Sequence, residues 1–346
     1  MASSGATEVE GIRLHGHGGP EVMRWEQWTL PAPGPGQVLI RHTAVGVNFR
    51  DILVRSGGHA VKSFPTGLGL ESAGVIEAVG PALISQTSDA SHTGAAEPGL
   101  TIGQRVVCVA GPDGAYATAR LVPANRVIPL PSAIDDSTAA SMMIRGMTAR
   151  YLLHDTYRVR PGDAILIHAA AGGVGLILCQ WAKRLGAQVI GTVGTCEKKA
   201  VAEAHGCDHA IVYSEEDFVA RVRELTAGEG VAVAYDSVGK ATFEGSLACL
   251  RPRGVLASFG EASGEPEPIA PRRLGLMGSL FVTHPSLPDY TATRQALLAN
   301  ANDLFAQVAS GLISIPIHAR YPLREATRAH QAMQARATTG SIVLIA

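Results

Sequence analysis

Residues 164–187 read AILIHAAAGGVGLILCQWAKRLGA, and this stretch decides the fold. An apolar run of strand length leads into a glycine-rich turn, and an amphipathic helix opens at Gly173. Glycine lets the backbone approach a phosphate closely, and the unpaired N–H groups of a helix N-terminus attract its negative charge. The turn follows the pattern AxxGxxG, so an alanine stands where the usual dinucleotide fingerprint has its first glycine. We predict that Gly172, Gly173 and Gly175 form the turn that holds a dinucleotide pyrophosphate.

The end of the next strand, QVIGTV at 188–193, indicates which dinucleotide binds. An NAD site places Asp or Glu there, about 20 residues after the glycine turn, to hold the ribose 2′-hydroxyl. This strand ends instead at Gly194, which is followed by Thr195, Lys198 and Lys199. Glycine leaves room for a 2′-phosphate and lysine supplies charge-assisted hydrogen bonds to it, so NADPH is favoured. The alternative is that the lysines belong to an ordinary solvated helix face.

Strand and helix patterns alternate from about residue 132. The predicted strands lie at 164–169, 188–193, 209–213, 231–236 and 254–259, and the predicted helices at 173–185, 197–205, 215–226 and 241–250. Four such units in series imply right-handed crossovers, and therefore a parallel sheet with helices on both faces. We predict a doubly wound α/β fold for this part of the chain.

The start of the chain, residues 1 to about 131, has a β-rich pattern. Short apolar runs there are separated by glycine and proline, as in PAPGPG at 31–36, and the small, polar segment 86–99 is typical of an exposed loop. The tail carries amphipathic helices near 291–310 and 323–335 and a terminal strand, SIVLIA. With 346 residues, the chain is predicted to form two domains.

The composition excludes several classes of protein. Hydrophobic residues make up 46% and charged residues 17%, which argues against disorder, and a net charge of -1 gives no footprint for nucleic acid. The 5 cysteines are scattered, without a CxxC pair, which suits a reducing compartment. No run approaches the roughly 18 apolar residues of a membrane helix, and the first residues carry no targeting pattern. We expect a soluble, cytoplasmic protein that binds small molecules or a second copy of itself.

Ordered sequence blocks run along nearly the whole chain. They are GGPEVM at 18–23, VNFRD at 47–51, PTGLGLESAG at 65–74, RGMTARYLL at 145–153, HAAAGGVG at 168–175, IGTVGTCEKK at 190–199, YDSVGK at 235–240, SFGEASG at 258–264, GSLFVTHPSL at 278–287 and TGSIVLIA at 339–346. Through these blocks the chain resembles the zinc-independent medium-chain dehydrogenases/reductases of the quinone oxidoreductase (zeta-crystallin-like) branch. Its tail is especially similar to bacterial NADPH:quinone reductases, and 2-haloacrylate reductases of the same branch are also similar.

The resemblance implies a fold and a division of the chain. A Rossmann domain, the doubly wound parallel sheet, would be inserted in a GroES-like β-rich catalytic domain. The catalytic domain would comprise 1–131 plus 287–346, and the Rossmann domain 132–286. NADPH would lie in the cleft between the two domains. The family usually dimerises by joining edge strands of two Rossmann sheets, so we expect a homodimer, with GSLFVT at 278–283 as the edge.

The resemblance also implies roles for individual residues, carried over position by position. Gly173 and Val174 would meet the pyrophosphate, Lys198 would meet the 2′-phosphate, and Tyr213 would pack near the adenine. The rest of the cofactor cleft would be lined by Asn48, Thr148, Tyr151, Val238, Phe259, the stretch Pro285 to Leu287, and Arg336.

The ligands of zinc-dependent relatives have no counterpart here. Those relatives need a catalytic set of cysteine and histidine ligands and a lobe of four clustered cysteines. At the first ligand region this chain has VNF at 47–49, and where relatives carry Gly-His-Glu it has GLE at 69–71. Its cysteines also lack zinc-knuckle spacing. No metal is expected.

Without zinc, the acceptor itself must stabilise the negative charge that arrives with hydride. A quinone, or an alkene conjugated to a carbonyl, does so through its own oxygen, whereas alcohol oxidation would need a stronger base or a metal. Reduction is therefore the predicted direction. Asn48 is the predicted polar group beside the nicotinamide or the substrate oxygen, because an amide donates hydrogen bonds without titrating. The alternative is a turn or strand-end residue that bonds local backbone.

Residues close to VNF leave the acceptor open. Asp51 is expected to be a structural cap, or a partner of Arg50 or Arg55, rather than an acid. Close relatives often have tyrosines shortly after VNF that flank the substrate pocket, and Leu53 and His59 stand at those places here. Fewer aromatic rings would stack less well on aromatic acceptors.

Three functional hypotheses follow. The first is an NADPH-dependent reductase that transfers hydride to quinones without zinc. The second keeps the chemistry but changes the acceptor to activated alkenes, including enones and 2-haloacrylates. The third is a non-catalytic NADPH-binding protein, as crystallin members of the branch imply, with or without contacts to RNA. The near-neutral charge disfavours RNA.

Overall fold

The computed structural model describes residues 5–81, 99–109, 111–335 and 337–346. Residue Arg336 and most of the predicted loop at 86–99 lie outside the described residues. In chain order the strands are β1 Thr7–Leu14, β2 Arg24–Leu30, β3 Gln37–Val47, β4 Thr66–Gly67, β5 Ser72–Val79, β6 Arg105–Cys108, β7 Ala119–Pro123, β8 Val127–Pro129, β9 Ala164–Ile167, β10 Gln188–Val193, β11 His209–Val212, β12 Val231–Asp236, β13 Leu250–Ser258, β14 Phe281–Thr283, β15 Ile317–Pro322 and β16 Ser341–Ile345.

The helices follow the same order. They are α1 Phe49–Ser56, α2 Asp136–Tyr151, α3 Gly173–Arg184, α4 Cys196–Ala204, α5 Phe218–Leu225, α6 Phe243–Cys249, α7 Pro271–Leu276, α8 Leu287–Tyr290, α9 Arg294–Ala309 and α10 Ala326–Gln334. Short 3₁₀ turns lie at Pro20–Val22, Ala124–Arg126 and Leu323–Glu325, and a π-helical turn at Leu152–Thr156 continues directly from α2.

The chain divides into two compact units. The first consists of Met1–Ile144, Ala292–Ala309 and Ile317–Ala346, and the second of Arg145–Thr291 and Ser310–Pro316. The domain limits derived from the sequence, 131/132 and 286/287, stay predictions.

The second unit contains a six-stranded sheet in the order β11-β10-β9-β12-β13-β14. Every neighbouring pair in it is parallel. The order runs outward in both directions from the β9/β12 pair, which is the switch point where doubly wound sheets bind dinucleotides at the carboxyl ends of their strands. The predicted doubly wound parallel sheet is therefore confirmed.

Apolar side chains from the sheet and two helices form the core of the second unit. Leu166, Ile190 and Ala234 project from β9, β10 and β12 into one buried cluster with Val222 of α5 and Leu247 of α6. Burial of such side chains stabilises the unit by roughly 1.5–3 kcal/mol each. This core holds the strand ends, and the loops that follow them, in fixed positions.

The first unit contains two sheets. The larger has the order β15-β16-β3-β5-β6-β8, with β7 also paired to β3, and the smaller has the order β2-β1-β4. Apart from the parallel β15/β16 pair, the strands are antiparallel. The terminal strand β16 joins the sheet beside β3, with Ile342 opposite Val47. The end of the chain thus supports the strand that leads into Asn48.

Candidate functional site

The glycine turn after β9 is built as the sequence predicts. Gly172 is extended and caps α3, and its N–H donates to the carbonyl of Ala169 at 2.8 Å. A Cβ at Gly175 would lie 2.3 Å from the Ala169 carbonyl oxygen and 2.8 Å from Ala170 Cα, so glycine is required there. Gly173 and Val174 form the first turn of α3, where backbone N–H groups have no partner within the helix. The arrangement fits a pyrophosphate.

Ala169, the alanine that opens the AxxGxxG pattern, adopts a left-handed backbone conformation with φ 52°. For a non-glycine residue that conformation costs about 1–2 kcal/mol. The turn therefore keeps the backbone path that glycine would take, although the residue is alanine.

A second group of predicted residues meets where β10 and β11 end. Thr195 caps α4, and its hydroxyl accepts the backbone N–H of Lys198 at 3.3 Å. A Cβ at Gly194 would lie 3.1 Å from the hydroxyl of Tyr213, whose side chain is 48% exposed. The structure thus brings Gly194, Thr195, Lys198 and Tyr213 together beyond the carboxyl ends of β10 and β11, where the hydroxyl of the half-exposed Tyr213 lies close to Gly194.

Thr148 and Tyr151 lie one turn apart at the end of α2, and both are buried. The ring of Tyr151 stacks on Tyr290 of α8 with a centroid separation of 4.3 Å, and its hydroxyl donates to the carbonyl of Pro285 at 3.4 Å. Burial raises the pKa of Tyr151, although a hydrogen bond with Thr148 opposes the change. Leu287 begins α8, so these predicted residues form one cluster.

Val238 and Phe259 stand on the loops after β12 and β13, and Asp236 links the two loops. The Val238 N–H donates to the Asp236 carboxylate at 2.8 Å, and the Phe259 N–H donates to the Asp236 carbonyl at 2.8 Å. Asp236 is fully buried. Sequence reasoning missed this residue, although an acid at the end of an otherwise apolar strand, in YDSVG, was the available signal.

In the first unit, Asn48 follows β3 and caps α1, and it is 6% exposed. Its side-chain nitrogen Nδ2 donates to Oε1 of the fully buried Glu71 at 2.7 Å. The other oxygen of Glu71 accepts the backbone N–H of Ile144 at 2.7 Å. The amide of Asn48 is therefore fixed in orientation by a carboxylate. Sequence reasoning did not identify Glu71 as that partner.

Asp51, in the first turn of α1, caps the backbone N–H of Asn48. Its Oδ2 accepts the Asn48 backbone N–H at 2.9 Å and the Tyr116 hydroxyl at 3.0 Å, and that hydroxyl also lies 3.1 Å from Nε2 of His330. Burial raises the pKa of Asp51 to about 7 and lowers that of His330 to about 3. Arg50 instead pairs with Asp113. The structure thus places Asp51 in a buried polar network.

Two further findings concern metals and membranes. Within the described ranges, no group of three or more His, Cys, Asp or Glu side chains is arranged to hold a metal ion. Among the helices in those ranges, none is both long and apolar enough to span a bilayer.

Known proteins match this chain along almost its whole length. The alcohol dehydrogenase GroES-like domain matches residues 34–132, and the zinc-binding dehydrogenase family matches residues 173–299. A 2-haloacrylate reductase from Burkholderia sp is 46% identical over 338 residues, which cover 96% of this chain and 97% of that protein. A quinone oxidoreductase from Pseudomonas aeruginosa is 45% identical over 337 residues, which cover 96% of this chain and 98% of that protein.

Solved structures match equally well. The crystal structure of Escherichia coli quinone oxidoreductase complexed with NADPH has a TM-score of 0.91 and 42% sequence identity, covering 97% of this chain and 100% of that chain. The predicted combination of a GroES-like domain with a Rossmann domain is confirmed by these matches. The chain belongs to the quinone oxidoreductase branch of the medium-chain dehydrogenase/reductase family.

Proposed function

We propose that this chain is an NADPH-dependent reductase that transfers hydride to quinones. The observation that carries the proposal is the turn after β9, where Gly175 leaves no space for a Cβ and α3 opens at the switch point of a parallel sheet. Gly194, which follows β10, and Lys198, in the first turn of α4, favour the 2′-phosphate of NADPH over the free hydroxyl of NADH. The similar Escherichia coli enzyme, which was crystallised with NADPH, supports the same choice.

The residues proposed to hold NADPH form three groups on the second unit, and Asn48, on the first unit, is proposed from the family resemblance. Gly172, Gly173 and Val174 would bind the pyrophosphate. Gly194, Thr195, Lys198 and Tyr213 would hold the adenosine end. The nicotinamide end would be held by Thr148, Tyr151, Val238, Phe259, Pro285 and Leu287. Arg336 is also proposed, from the family resemblance alone.

Bound NADPH supplies the hydride. The residues of the chain bind and orient NADPH and polarise the acceptor. An amide nitrogen carries two hydrogens, and Asn48 gives one of them to Glu71 at 2.7 Å. We assign the second to an oxygen of the acceptor or of the nicotinamide amide. A donor already held by a buried carboxylate needs no reorganisation when negative charge develops on the acceptor oxygen.

The donor set at this position does not fit zinc, although the family model is that of a zinc-binding dehydrogenase. Asn48 presents its amide nitrogen to Glu71, Leu70 is apolar, and both oxygens of Glu71 accept N–H groups. Zinc sites in proteins use thiolate, imidazole and carboxylate ligands. We therefore propose reduction without zinc, and we derive no step through a metal.

A second acceptor class is favoured by a specific observation. The relative that is 46% identical is a 2-haloacrylate reductase, so an electron-poor alkene is the alternative acceptor. Leu53 and His59, where relatives carry tyrosines, lie together because the His59 N–H donates to the Leu53 carbonyl at 3.1 Å. This part of the pocket would offer an imidazole and an aliphatic side chain rather than stacked rings.

We also propose that the protein is a cytoplasmic homodimer. Strand β14 is one of the two outer strands of the parallel sheet. Phe281 on β14 and Leu276 on α7 are 61% and 80% exposed, and neither carries a polar group that would favour water. Pairing of two β14 strands would cover this edge.

The test is the oxidation of NADPH by the purified protein against a panel of quinones, enones and 2-haloacrylates, followed by the loss of absorbance of the reduced nicotinamide. We expect turnover with quinones, and faster turnover with enones or haloacrylates would favour the alternative. Tight NADPH binding without turnover of any acceptor would contradict the enzyme proposal and support a non-catalytic binding protein.

A further inference from the structure

Four buried polar side chains of the second unit form a continuous hydrogen-bonded chain. Thr192 Oγ1 lies 2.8 Å from Nδ1 of His168, and Nε2 of His168 lies 2.9 Å from Oγ of Ser246. The Ser246 hydroxyl lies 2.8 Å from Oδ2 of Asp236. All four residues are 1% exposed or less. Nothing in the proposed hydride transfer uses His168, Ser246 or Thr192.

The donors and acceptors of this hydrogen-bonded chain can be assigned by starting at Asp236. The carboxylate of Asp236 accepts the N–H groups of Val238 and Gly239 and the hydroxyl of Thr242. Because a carboxylate has no hydrogen to donate, its remaining partner, the Ser246 hydroxyl, must also be a donor. Ser246 donates to this charged acceptor in preference to the neutral Thr242 carbonyl at 2.9 Å. Its oxygen then accepts from His168.

With Nε2 donating to Ser246, we assign His168 as a neutral imidazole whose Nδ1 accepts from Thr192. Burial lowers the pKa of His168, which agrees with the neutral form, while the nearby Asp236 acts in the opposite direction. Phe218 of α5 packs edge-on against the imidazole with a centroid separation of 5.2 Å, so the ring is also held sterically.

This hydrogen-bonded chain of four side chains connects the two halves of the parallel sheet. Thr192 lies on β10, which belongs to the half that carries the adenosine residues. Asp236 and Ser246 lie on β12 and α6 of the other half. His168 follows β9 directly, at the switch point and one residue before the turn that begins at Ala169. Through Asp236, the same chain holds the loop that carries Val238.

We propose that His168 is a positioning residue that couples the two nucleotide-binding halves of the second unit. It fixes the Val238 loop relative to the glycine turn, so that the nicotinamide half of NADPH meets a preformed surface. The inference rests on the proposed function, because it requires NADPH to bind across this sheet.

The experiment compares two ligands of the full-length protein. NADPH spans both halves of the sheet, whereas adenosine 2′,5′-bisphosphate carries only the adenosine end. For His168→Leu and for Ser246→Ala, we expect the Kd of NADPH to rise about tenfold, the usual effect of losing a hydrogen bond to a buried polar chain. The Kd of the bisphosphate should change by less than about twofold. His168→Gln, which keeps a donor toward Ser246, should recover part of the NADPH affinity.

A matched control is His205→Leu, because His205 lies in the same unit and its ring bonds only the Val201 carbonyl at 2.7 Å among the contacts seen for that side chain. It should leave both Kd values unchanged. Thermal unfolding identifies any variant that fails to fold. If His168→Leu does not fold, the Kd values of Ser246→Ala, which loses only one oxygen, test the coupling role. Equal losses for both ligands, or no loss for either, would overturn the coupling role. A wild-type protein that binds the bisphosphate but not NADPH, or neither ligand, would instead refute the proposed function.

Discussion

At the scale of single residues, Gly175 carries the tightest constraint on the proposed cofactor turn. A Cβ there would approach the Ala169 carbonyl oxygen to 2.3 Å, so any side chain must push α3 away from β9. The last glycine of the pattern AxxGxxG is the sequence signal for such close packing of a helix on a strand. The pattern could not show that Ala169 adopts a left-handed conformation, because alanine alone gives no signal for one.

Gly175→Ala should destabilise the protein by about 1–3 kcal/mol and weaken NADPH binding, since the added methyl group displaces the helix end that faces the phosphate. Urea unfolding and an NADPH titration measure the two effects. The matched control is Gly275→Ala on α7, where a Cβ would meet nothing within 4 Å. Equal, small effects of both substitutions would contradict the packing argument.

Lys198→Ala should weaken NADPH binding about 10- to 100-fold and change NADH binding by less than about twofold, because the lysine is assigned to the 2′-phosphate. Fluorescence titration of the reduced cofactors measures both affinities. Lys199→Ala, one residue further on the same helix, should change neither. If Lys198→Ala reduced the affinity for both cofactors equally, the assignment to the 2′-phosphate would be wrong.

Asp51 should make stability depend on pH. Burial raises its folded-state pKa from 3.8 to about 7, so the protonated form is favoured in the folded protein. The stabilisation that comes from the preferred protonation of Asp51 in the folded protein is complete below the unfolded-state pKa near 4. It is lost as the pH rises through about 7. Relative to Asp51→Asn, the wild-type unfolding free energy should fall by up to about 4 kcal/mol between roughly pH 4 and pH 8.

Urea unfolding of both proteins across that pH range measures the difference. The buried His330 titrates in the unfolded state of both proteins, so its contribution largely cancels. Parallel curves for the wild type and Asp51→Asn would show that Asp51 is ionised in the fold at all these pH values.

At the scale of elements, periodicity predicted the parallel sheet well. The limits of β10 and β12 coincide with the predicted strands at 188–193 and 231–236, because each is a largely apolar run of strand length that is followed by a glycine or polar residue. Strand β13 begins at Leu250, whereas the predicted strand begins at 254. The prediction omitted the first residues, LRPR, because three of the four are arginine or proline. Such residues carry no strand signal.

Contacts between distant elements could not be predicted in the same way. Asn48 meets Glu71 because β3 pairs with β5 in a register that places Val45 opposite Ser72. Tyr151 meets Tyr290 across 139 positions of the chain, one on α2 and the other on α8. The residues were visible in the sequence, but their partners depended on strand register and helix packing. The fold was therefore more predictable than the hydrogen bonds of the site.

The exposed edge at strand β14 is the basis of a prediction about quaternary structure. Phe281→Asp should convert the proposed dimer into monomers, because a charge would have to be buried at the joined edges. Sedimentation velocity measures the change. The control is Leu312→Asp, which introduces the same charge at another exposed apolar residue of the second unit. A wild-type monomer, or a Phe281→Asp dimer, would contradict the proposed interface.

At the scale of the whole molecule, the strand order and the family assignment point to one chemistry. A doubly wound sheet supplies the dinucleotide site at its switch point, and the GroES-like sheets hold Asn48 and Glu71 at the start of α1. We propose that the residues near Leu53 set the choice of acceptor, because the family resemblance implies tyrosines there in related proteins.

The most direct test of the central claim is the ratio of kcat/KM for NADPH to that for NADH, measured with a single quinone as the acceptor. We predict turnover with both cofactors and a preference for NADPH of at least about tenfold, the contribution expected from a charge-assisted contact with the 2′-phosphate. No turnover with either cofactor, or a preference for NADH, would contradict the account.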